Sequence, residues 1–255
     1  MGNLHPPIIG GLYSEYLFPT DGSSAYSMSL SGKKILVSGG YGRLGRELVP
    51  RLWQEGAYVM APHHQEWDCM LEPCGLAMPS HPDIIIHAAA YTDVQKAEKE
   101  KSECKYLNVE GTRRVSKLAD ALGAKMVYIS SDYVNVPTMG FYASTKKAAE
   151  AFINKKSGLI IRTSFKPRNY WSEETLREVF HPVYTNCDWV DVIAQKIVDA
   201  IREGKTGIAN IGTKRKTLKE LAQQQYPAVG TIPVEEADKI VGYIYPRDTC
   251  VDLTI

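Results

Sequence analysis

The sequence lacks several features that define common classes of protein. No apolar run is long enough to span a bilayer, and no basic start followed by an apolar core marks a secretory signal. Basic and acidic residues nearly balance, at a net charge of +1, so no strongly basic surface for nucleic acid is expected. We therefore expect neither a membrane nor a nucleic acid as a partner.

Cysteine is scarce, and its five positions are odd in number and scattered. No Cys-x-x-Cys motif occurs, and the spacing of His63, His64, Cys69 and Cys74 fits no standard zinc ligand set, so we predict no metal site. Reduced thiols of this kind are typical of a cytoplasmic protein. Residues 1–31 are rich in Gly, Pro, Ser and Tyr without a period, which predicts an extended or partly disordered arm.

A glycine cluster between an apolar run and an amphipathic pattern is the most informative segment. Ile35–Ser38 predict a strand and Gly42–Glu55 a helix, with a tight glycine turn between them. Such a turn lets the backbone approach a pyrophosphate, and the free N–H groups of the helix start can bind the phosphates. The residues predicted to contact a dinucleotide here are Gly39, Gly42, Arg43, Leu44 and Gly45.

An acidic residue is missing where an NAD-specific site usually has one, at the end of the second strand, to bind the ribose 2′-hydroxyl. The predicted strand Tyr58–Ala61 is followed by Pro62, His63 and His64. Arg43 and the two histidines would suit a 2′-phosphate, and His63 is predicted to contact it. The sequence favours NADP(H), with NAD(H) as the alternative.

Strands and helices alternate along the chain, which predicts an α/β protein with a Rossmann-type, doubly wound parallel sheet. The further predicted elements of the core are a strand at 83–87, a helix at 102–122, a strand at 125–130, a helix at 141–156 and a strand at 159–163. Residues 32–165 are predicted to form the NAD(P)-binding core.

Residues 166–255 are predicted to form a small substrate-binding lobe whose return elements pack on the core. The predicted elements in it are a short helix at 172–179, helices at 191–203 and 217–226, and a strand at 208–211. Thr217 followed by Glu220 is a capping-box pattern at the start of the last helix.

A tyrosine and a lysine are spaced to share one helical face. Tyr142 and Lys146 are four residues apart, and a cation beside a phenol lowers a pKa that starts near ~10. The phenol could then donate and accept a proton near neutral pH. Ser131 ends the preceding strand at the edge where ligands bind in parallel sheets, so its hydroxyl could hydrogen-bond a substrate carbonyl.

Together these motifs resemble the extended short-chain dehydrogenase/reductase superfamily and, more narrowly, the dTDP-4-dehydrorhamnose reductase family. The segments that carry the resemblance are 38–45, 82–94, 96–98, 108–112, 130–134, 142–146 and 161–165. The resemblance implies that Ser131 polarises a sugar C4 carbonyl and that Tyr142 protonates its oxygen as hydride arrives. Lys146 would hold the nicotinamide ribose and lower the pKa of the tyrosine.

The resemblance also implies other contacts. Those with the cofactor are made by Asp68, near the adenine, and by Ala88, Ala89 and Ala90. Those with the substrate are made by Thr92, Asp132, Tyr133, Phe165 and Arg247, the last as a phosphate clamp. Phe165 stands where the family commonly has Trp, and the segment after Ser164 is shorter than usual.

The function that the resemblance implies is NAD(P)H-dependent reduction of the 4-keto group of a nucleotide-linked 4-keto-6-deoxy sugar, in deoxysugar precursor biosynthesis. One alternative is a nucleotide-sugar epimerase or dehydratase of the same superfamily. Another is a non-catalytic regulatory subunit like the beta type of methionine adenosyltransferase. The short segment after Ser164 favours that last alternative, whereas the intact Ser131, Tyr142 and Lys146 argue against it. A homodimer is a further expectation.

Overall fold

The computed structural model describes residues 30–70, 81–137, 140–168, 170 and 178–254. The strands, in chain order, are β1 (Lys34–Ser38), β2 (Tyr58–Met60), β3 (Ile84–His87), β4 (Lys125–Ser131), β5 (Leu159–Thr163), β6 (Phe165–Lys166), β7 (Glu178–His181), β8 (Tyr184–Thr185), β9 (Asp188–Trp189), β10 (Gly207–Asn210), β11 (Lys216–Thr217) and β12 (Gly230–Pro233). The α-helices are α1 (Gly45–Gln54), α2 (Val94–Ala97), α3 (Lys101–Lys105), α4 (Thr112–Leu122), α5 (Phe141–Ala149), α6 (Val190–Arg202), α7 (Leu218–Gln223) and α8 (Ala237–Val241).

Six parallel strands form the central sheet, in the order β10-β5-β4-β3-β1-β2. Successive residues of β1 point to opposite faces: Ile35 and Val37 pack with α1 and α6, whereas Leu36 packs with α4. Strands buried on both faces have continuous apolar runs, which is why these segments show no alternation. Helices on both faces confirm the predicted Rossmann-type doubly wound sheet.

The carboxyl ends of the central strands meet at one edge of the sheet, because all of them run in the same direction. The glycine turn follows β1 there, the alanines follow β3, and Ser131 ends β4. Ser38, His87 and Tyr128 are register partners on β1, β3 and β4. The topology therefore brings the two predicted halves of a site to a single edge.

Three helices differ from their predicted form. Helix α1 begins at Gly45, not Gly42, because the Gly42 N–H first closes a turn onto the Gly39 carbonyl at 2.9 Å. The predicted helix over 102–122 contains a π-helical segment, Tyr106–Gly111, between α3 and α4. The last residues predicted for the α5 helix instead form a 3₁₀ turn, Glu150–Phe152, and a loop.

The predicted helix at 172–179 is wrong in the two residues that the structure describes. Glu178 and Val179, the end of the predicted helix 172–179, lie in β7, which pairs in parallel with β12. Residues 172–177 lie outside the described residues. Val179 is buried in a separate apolar cluster with Trp189 and Leu221, so tertiary packing, not local pattern, sets the strand.

The C-terminal part of the chain contributes both to the central sheet and to this second cluster. Helix α6 packs with α1 on one face of the sheet, and β10 adds a strand beside β5. The capping box at Thr217 and Glu220 is present at the start of α7, as predicted. The division of the chain at residue 165 stays a prediction.

Within the described ranges, no helix combines the length and the apolar character that a membrane span needs.

Candidate active site

The turn after β1 lies directly against the segment that follows β3. Gly39 has a φ of 72°, in the left-handed region. A Cβ added to Gly39 would lie 2.6 Å from the Ala89 nitrogen, and one added to Gly45 would lie 2.3 Å from the Gly39 carbonyl oxygen. Both positions therefore require glycine: Gly39 lets the turn lie against the Ala89 backbone, and Gly45 lets the start of α1 pack against the turn.

A cavity of about 400 Å³ opens beside this turn. The predicted cofactor residues that line it are Gly39, Gly42, His63, Asp68, Ala89 and Ala90. Four others do not line it. Leu44 and Gly45 are buried behind the turn, and Arg43 is exposed outside the lining. Ala88 is half-buried and packs against the core cluster.

Sequence reasoning missed Tyr41, Trp67 and Leu107, which also line the cavity. Trp67 directly precedes Asp68, which was predicted to contact the cofactor, so its place in the sequence could have indicated its place in the cavity. Leu107 comes from the π-helical segment, which turns it toward the cavity, and no local sequence pattern indicates such a segment.

The wall of the cavity after β2 is aromatic. The rings of His63 and His64 have centroids 4.0 Å apart, and the Tyr41 ring meets His63 edge-on at 5.1 Å. Asp68 also lines this wall, and its carboxylate accepts the Met70 N–H at 2.8 Å. The imidazoles thus stand where an NAD-specific site usually has a carboxylate.

The three predicted catalytic residues lie on two neighbouring elements. Ser131 ends β4, where its hydroxyl accepts the Tyr133 N–H at 3.2 Å, and Tyr142 and Lys146 share one face of α5. The Ser131 hydroxyl is close enough to Tyr142 to lower the pKa of the phenol. Lys146 is only 3% exposed, and its Nζ lies 4.5 Å from the centroid of the Tyr128 ring.

Burial dominates the ionisation of this group. It raises the pKa of Tyr142 above its ordinary value, the nearby Asp132 and Cys104 raise it further, and Ser131 lowers it only partly. This is opposite to the predicted direction. Burial also lowers the pKa of Lys146 from 10.5 to about 7. In this structure, Tyr142 is therefore a protonated donor at neutral pH.

A hydrogen-bond network fixes α5 against the π-helical segment. The buried Asn108 accepts the Tyr91 N–H at 2.8 Å and donates to the Thr145 hydroxyl at 3.0 Å. Thr145 lies next to Lys146 on α5, and its hydroxyl donates to the Tyr142 carbonyl at 2.7 Å. Asn108 therefore positions the helix that carries the tyrosine and the lysine.

The predicted substrate residues are not all at the same place. Asp132 is buried, and it accepts hydrogen bonds from the hydroxyls of Ser164 at 2.6 Å and Ser131 at 3.4 Å. Tyr133 follows it, and Phe165 is half-buried in β6, one residue after Ser164. Thr92 is exposed.

Arg247 has a protein partner. Its guanidinium forms two hydrogen bonds with the Asp238 carboxylate, at 2.5 and 3.0 Å, and another with the Tyr245 carbonyl. A phosphate bound by Arg247, as predicted, would compete with the Asp238 carboxylate for the guanidinium. Among the described residues, no group of three or more His, Cys, Asp or Glu side chains is arranged to hold a metal ion.

Residues 33–166, more than half of the chain, match the model of the RmlD substrate binding domain family. The chain belongs to this family. The RmlD-family segment runs from β1 to β6 and includes the glycine turn, Ser131, Tyr142 and Lys146. This confirms the resemblance predicted from the sequence.

Two relatives of this RmlD-family chain are named dTDP-4-dehydrorhamnose reductase. The Mycobacterium tuberculosis protein is 28% identical over 107 residues, which are 42% of this chain and 35% of that protein. The Mycolicibacterium smegmatis protein is 25% identical over 239 residues, covering 81% of this chain and 72% of that protein. The match thus spans only about a third of the first relative's length.

A solved structure extends the likeness to nearly the whole chain. The crystal structure of dTDP-4-dehydrorhamnose reductase from Bacillus anthracis in complex with NADP matches with a TM-score of 0.75. The two are 22% identical, and the match covers 91% of each chain. At this identity the likeness establishes the fold.

Proposed function

We propose that this chain is an NADPH-dependent reductase that reduces the 4-keto group of a nucleotide-linked 4-keto-6-deoxy sugar. One observation carries the proposal: Ser131, Tyr142 and Lys146 lie at the same sheet edge as the glycine turn and its cavity. The names of the relatives support a dTDP-linked substrate. A homodimer and a cytoplasmic location stay predictions.

The cavity fits a dinucleotide that carries a 2′-phosphate. Gly39 and Gly42 line the cavity without a side chain that could block a pyrophosphate, and the N–H groups at the start of α1 are available to it. His63 and His64 stand after β2 in place of an acid, so their imidazole N–H groups could donate hydrogen bonds to a 2′-phosphate. We therefore expect NADPH to bind more tightly than NADH, and His63→Glu to reduce or reverse that preference.

The site residues divide the reduction among them. NADPH, when bound, would supply the hydride for the carbonyl carbon. Ser131 turns its hydroxyl proton from the 3.4 Å bond with Asp132 to the carbonyl oxygen and so stabilises the charge that develops there. Tyr142, which is kept protonated by burial, donates the proton to that oxygen. Lys146, on the same face of α5, orients the nicotinamide ribose.

The decisive experiment measures NADPH oxidation with a panel of nucleotide 4-keto-6-deoxy sugars, dTDP-4-dehydrorhamnose first. We expect stoichiometric NADPH consumption and an alcohol at C4. An epimerase that recycles its cofactor would convert the sugar without net NADPH consumption. A regulatory subunit would consume none and leave the sugar unchanged.

Tyr142→Phe tests the assigned proton donor. We expect it to reduce kcat by about 10³-fold or more while NADPH affinity changes by less than about twofold, because the phenol acts on the substrate oxygen. Affinity is measured by quenching or enhancement of NADPH fluorescence. Tyr106→Phe, on an exposed tyrosine, is the matched control. Near-normal turnover by Tyr142→Phe would contradict the mechanism.

A further inference from the structure

A row of polar side chains crosses the sheet beneath the candidate active site. Ser38, His87 and Tyr128 are register partners on three neighbouring strands, so their side chains lie on one face. Ser38 Oγ lies 2.6 Å from His87 Nδ1, and the His87 and Tyr128 rings stack with centroids 6.0 Å apart. The row begins one residue before Gly39 and ends at the aromatic face that holds Lys146.

Two buried atoms of this row, His87 Nε2 and the Tyr128 hydroxyl oxygen, have no hydrogen-bond partner within the described part of the chain. Both residues are almost wholly buried, at 1% and 0% exposure. Thr112 lies near the Tyr128 hydroxyl, but it donates its own proton to the Asn108 carbonyl at 2.6 Å, so it can accept from the phenol and cannot donate to the tyrosine oxygen. Buried polar atoms of native proteins nearly always have a partner, and an ordered water commonly supplies it.

The contacts of Ser38 allow the imidazole proton of His87 to lie on Nε2. Ser38 Oγ accepts the Ala89 N–H at 3.5 Å, and its single proton can be donated to His87 Nδ1, which is the tautomer that the proposal below uses. In that tautomer the ring proton of His87 is on Nε2. Burial and the charge of Lys146 lower the pKa of His87 to about 3, so the imidazole is neutral.

Lys146 approaches this row without an anionic partner. Among the described residues, its ammonium makes no ion pair within 4.0 Å and donates no hydrogen bond to a protein acceptor; its recorded contact is the Tyr128 ring. An aromatic face attracts a cation but leaves its N–H groups free. Lys146 can therefore be held in place and still donate to a ligand.

We propose that Tyr128 and His87 are positioning residues for Lys146, with one buried water joining His87 Nε2 to the Tyr128 hydroxyl beneath the ammonium. The water accepts the Nε2–H bond and donates to the tyrosine oxygen. The inference rests on the proposed reductase function for its kinetic readout, but the water itself does not depend on that function.

Stability gives a readout that is independent of catalysis. If the water bridges the two groups, Tyr128→Phe breaks the bridge and lowers the urea midpoint of unfolding. If the hydroxyl is unsatisfied, the same change removes a buried orphan group and leaves the midpoint unchanged or raises it. Tyr106→Phe is again the matched control. A midpoint that does not fall overturns the water bridge.

Two conservative replacements of His87 separate positioning of Lys146 from support of Ser38. His87→Gln keeps an N–H donor near the Nε2 position, whereas His87→Asn keeps an acceptor near the Nδ1 position. We expect His87→Asn to lower kcat by about tenfold, which corresponds to the loss of about one hydrogen bond, with NADPH affinity nearly unchanged. We expect His87→Gln to stay close to wild type. The reverse order, or no effect of either change, overturns the positioning role.

If both variants are equally impaired, a high-resolution crystal structure of the wild-type protein with NADPH decides. A water within hydrogen-bond distance of His87 Nε2 and the Tyr128 oxygen supports the inference, and its absence there overturns it. If the wild-type protein reduces no sugar on the panel, the proposed function fails, while the crystal structure and the Tyr128→Phe midpoint still test the water.

Discussion

Lys146 places a positive charge where water is largely excluded and, among the described residues, no carboxylate pairs with it. Burial holds its pKa at about 7 in the folded protein, against 10.5 ordinarily. Below about pH 7 the folded state bears the full cost of the charge. Between about 7 and 10.5 the unfolded chain holds a proton that the folded state has lost, so stability rises with pH.

Lys146→Met should therefore stabilise the fold and abolish turnover. We expect the free energy of unfolding to increase by about 2 kcal/mol at about pH 6, and the gain to shrink by about pH 9 as the wild-type lysine loses its charge. Urea unfolding at the two pH values measures both. Lys147→Met, on a half-exposed neighbour, should change stability by less than about 1 kcal/mol. A destabilised Lys146→Met would show that the buried ammonium has a partner.

At the scale of elements, the end of α5 is tied to the sheet through Glu150. Its buried carboxylate accepts two hydrogen bonds from the Arg162 guanidinium, at 2.8 and 2.7 Å, and one from the Ser130 hydroxyl at 2.8 Å. These donors lower the pKa of Glu150 despite its burial. The helix that carries Tyr142 and Lys146 is thus held at one end by Glu150 and along its length by Asn108.

The glycine turn is the other element that the site depends on, and Gly39→Ala tests it. We expect the free energy of unfolding to fall by about 3 kcal/mol and NADPH binding to be lost, because strain at positive φ adds to a clash with the Ala89 backbone. Gly123→Ala is the matched control, since its φ is 67° but nothing lies within 4 Å of the added Cβ. In that variant the free energy of unfolding should fall by about 1 kcal/mol, and the affinity for NADPH should be unchanged. Equal losses in the two variants would contradict the close approach.

At the scale of the whole molecule, the RmlD-family match ends before the central sheet does. The match stops at residue 166, whereas β10 completes the sheet beside β5, and α6 covers one face of it. Ile193, Ile197 and Ile201 of α6 are fully or almost fully buried in the same cluster as the strands. Arg202 also pairs with Glu55 at the end of α1, at 2.9 Å.

A fragment of residues 30–166 should therefore not fold by itself. It would expose the edge of β5 and the apolar face that α6 covers, and both favour aggregation. We expect an insoluble product, or a soluble one that lacks a cooperative thermal transition, whereas the full chain melts cooperatively. Circular dichroism during heating makes the comparison. A cooperative transition in the fragment would show that the core is an independent domain.

Local sequence patterns predicted most of the central elements. Strand β5 matches its predicted range, because apolar runs bounded by turns leave little freedom in a sheet covered on both faces. The glycine turn was also predictable, since only glycine fits its backbone. The prediction of a helix at 172–179 was wrong at Glu178 and Val179, because these residues pair with β12, and local sequence patterns do not show such a long-range contact.

The sequence by itself determined the fold class and the glycine turn and nominated Ser131, Tyr142 and Lys146 as candidate catalytic residues, because each depends on residue type and short spacing. Only the tertiary structure decided the ionisation of Tyr142, the placement of Leu107 in the cavity and the pairing of Arg247 with Asp238. It also decided that Ser38, His87 and Tyr128 form a row beneath Lys146. These features depend on burial and strand register, which bring together residues that are far apart in the chain.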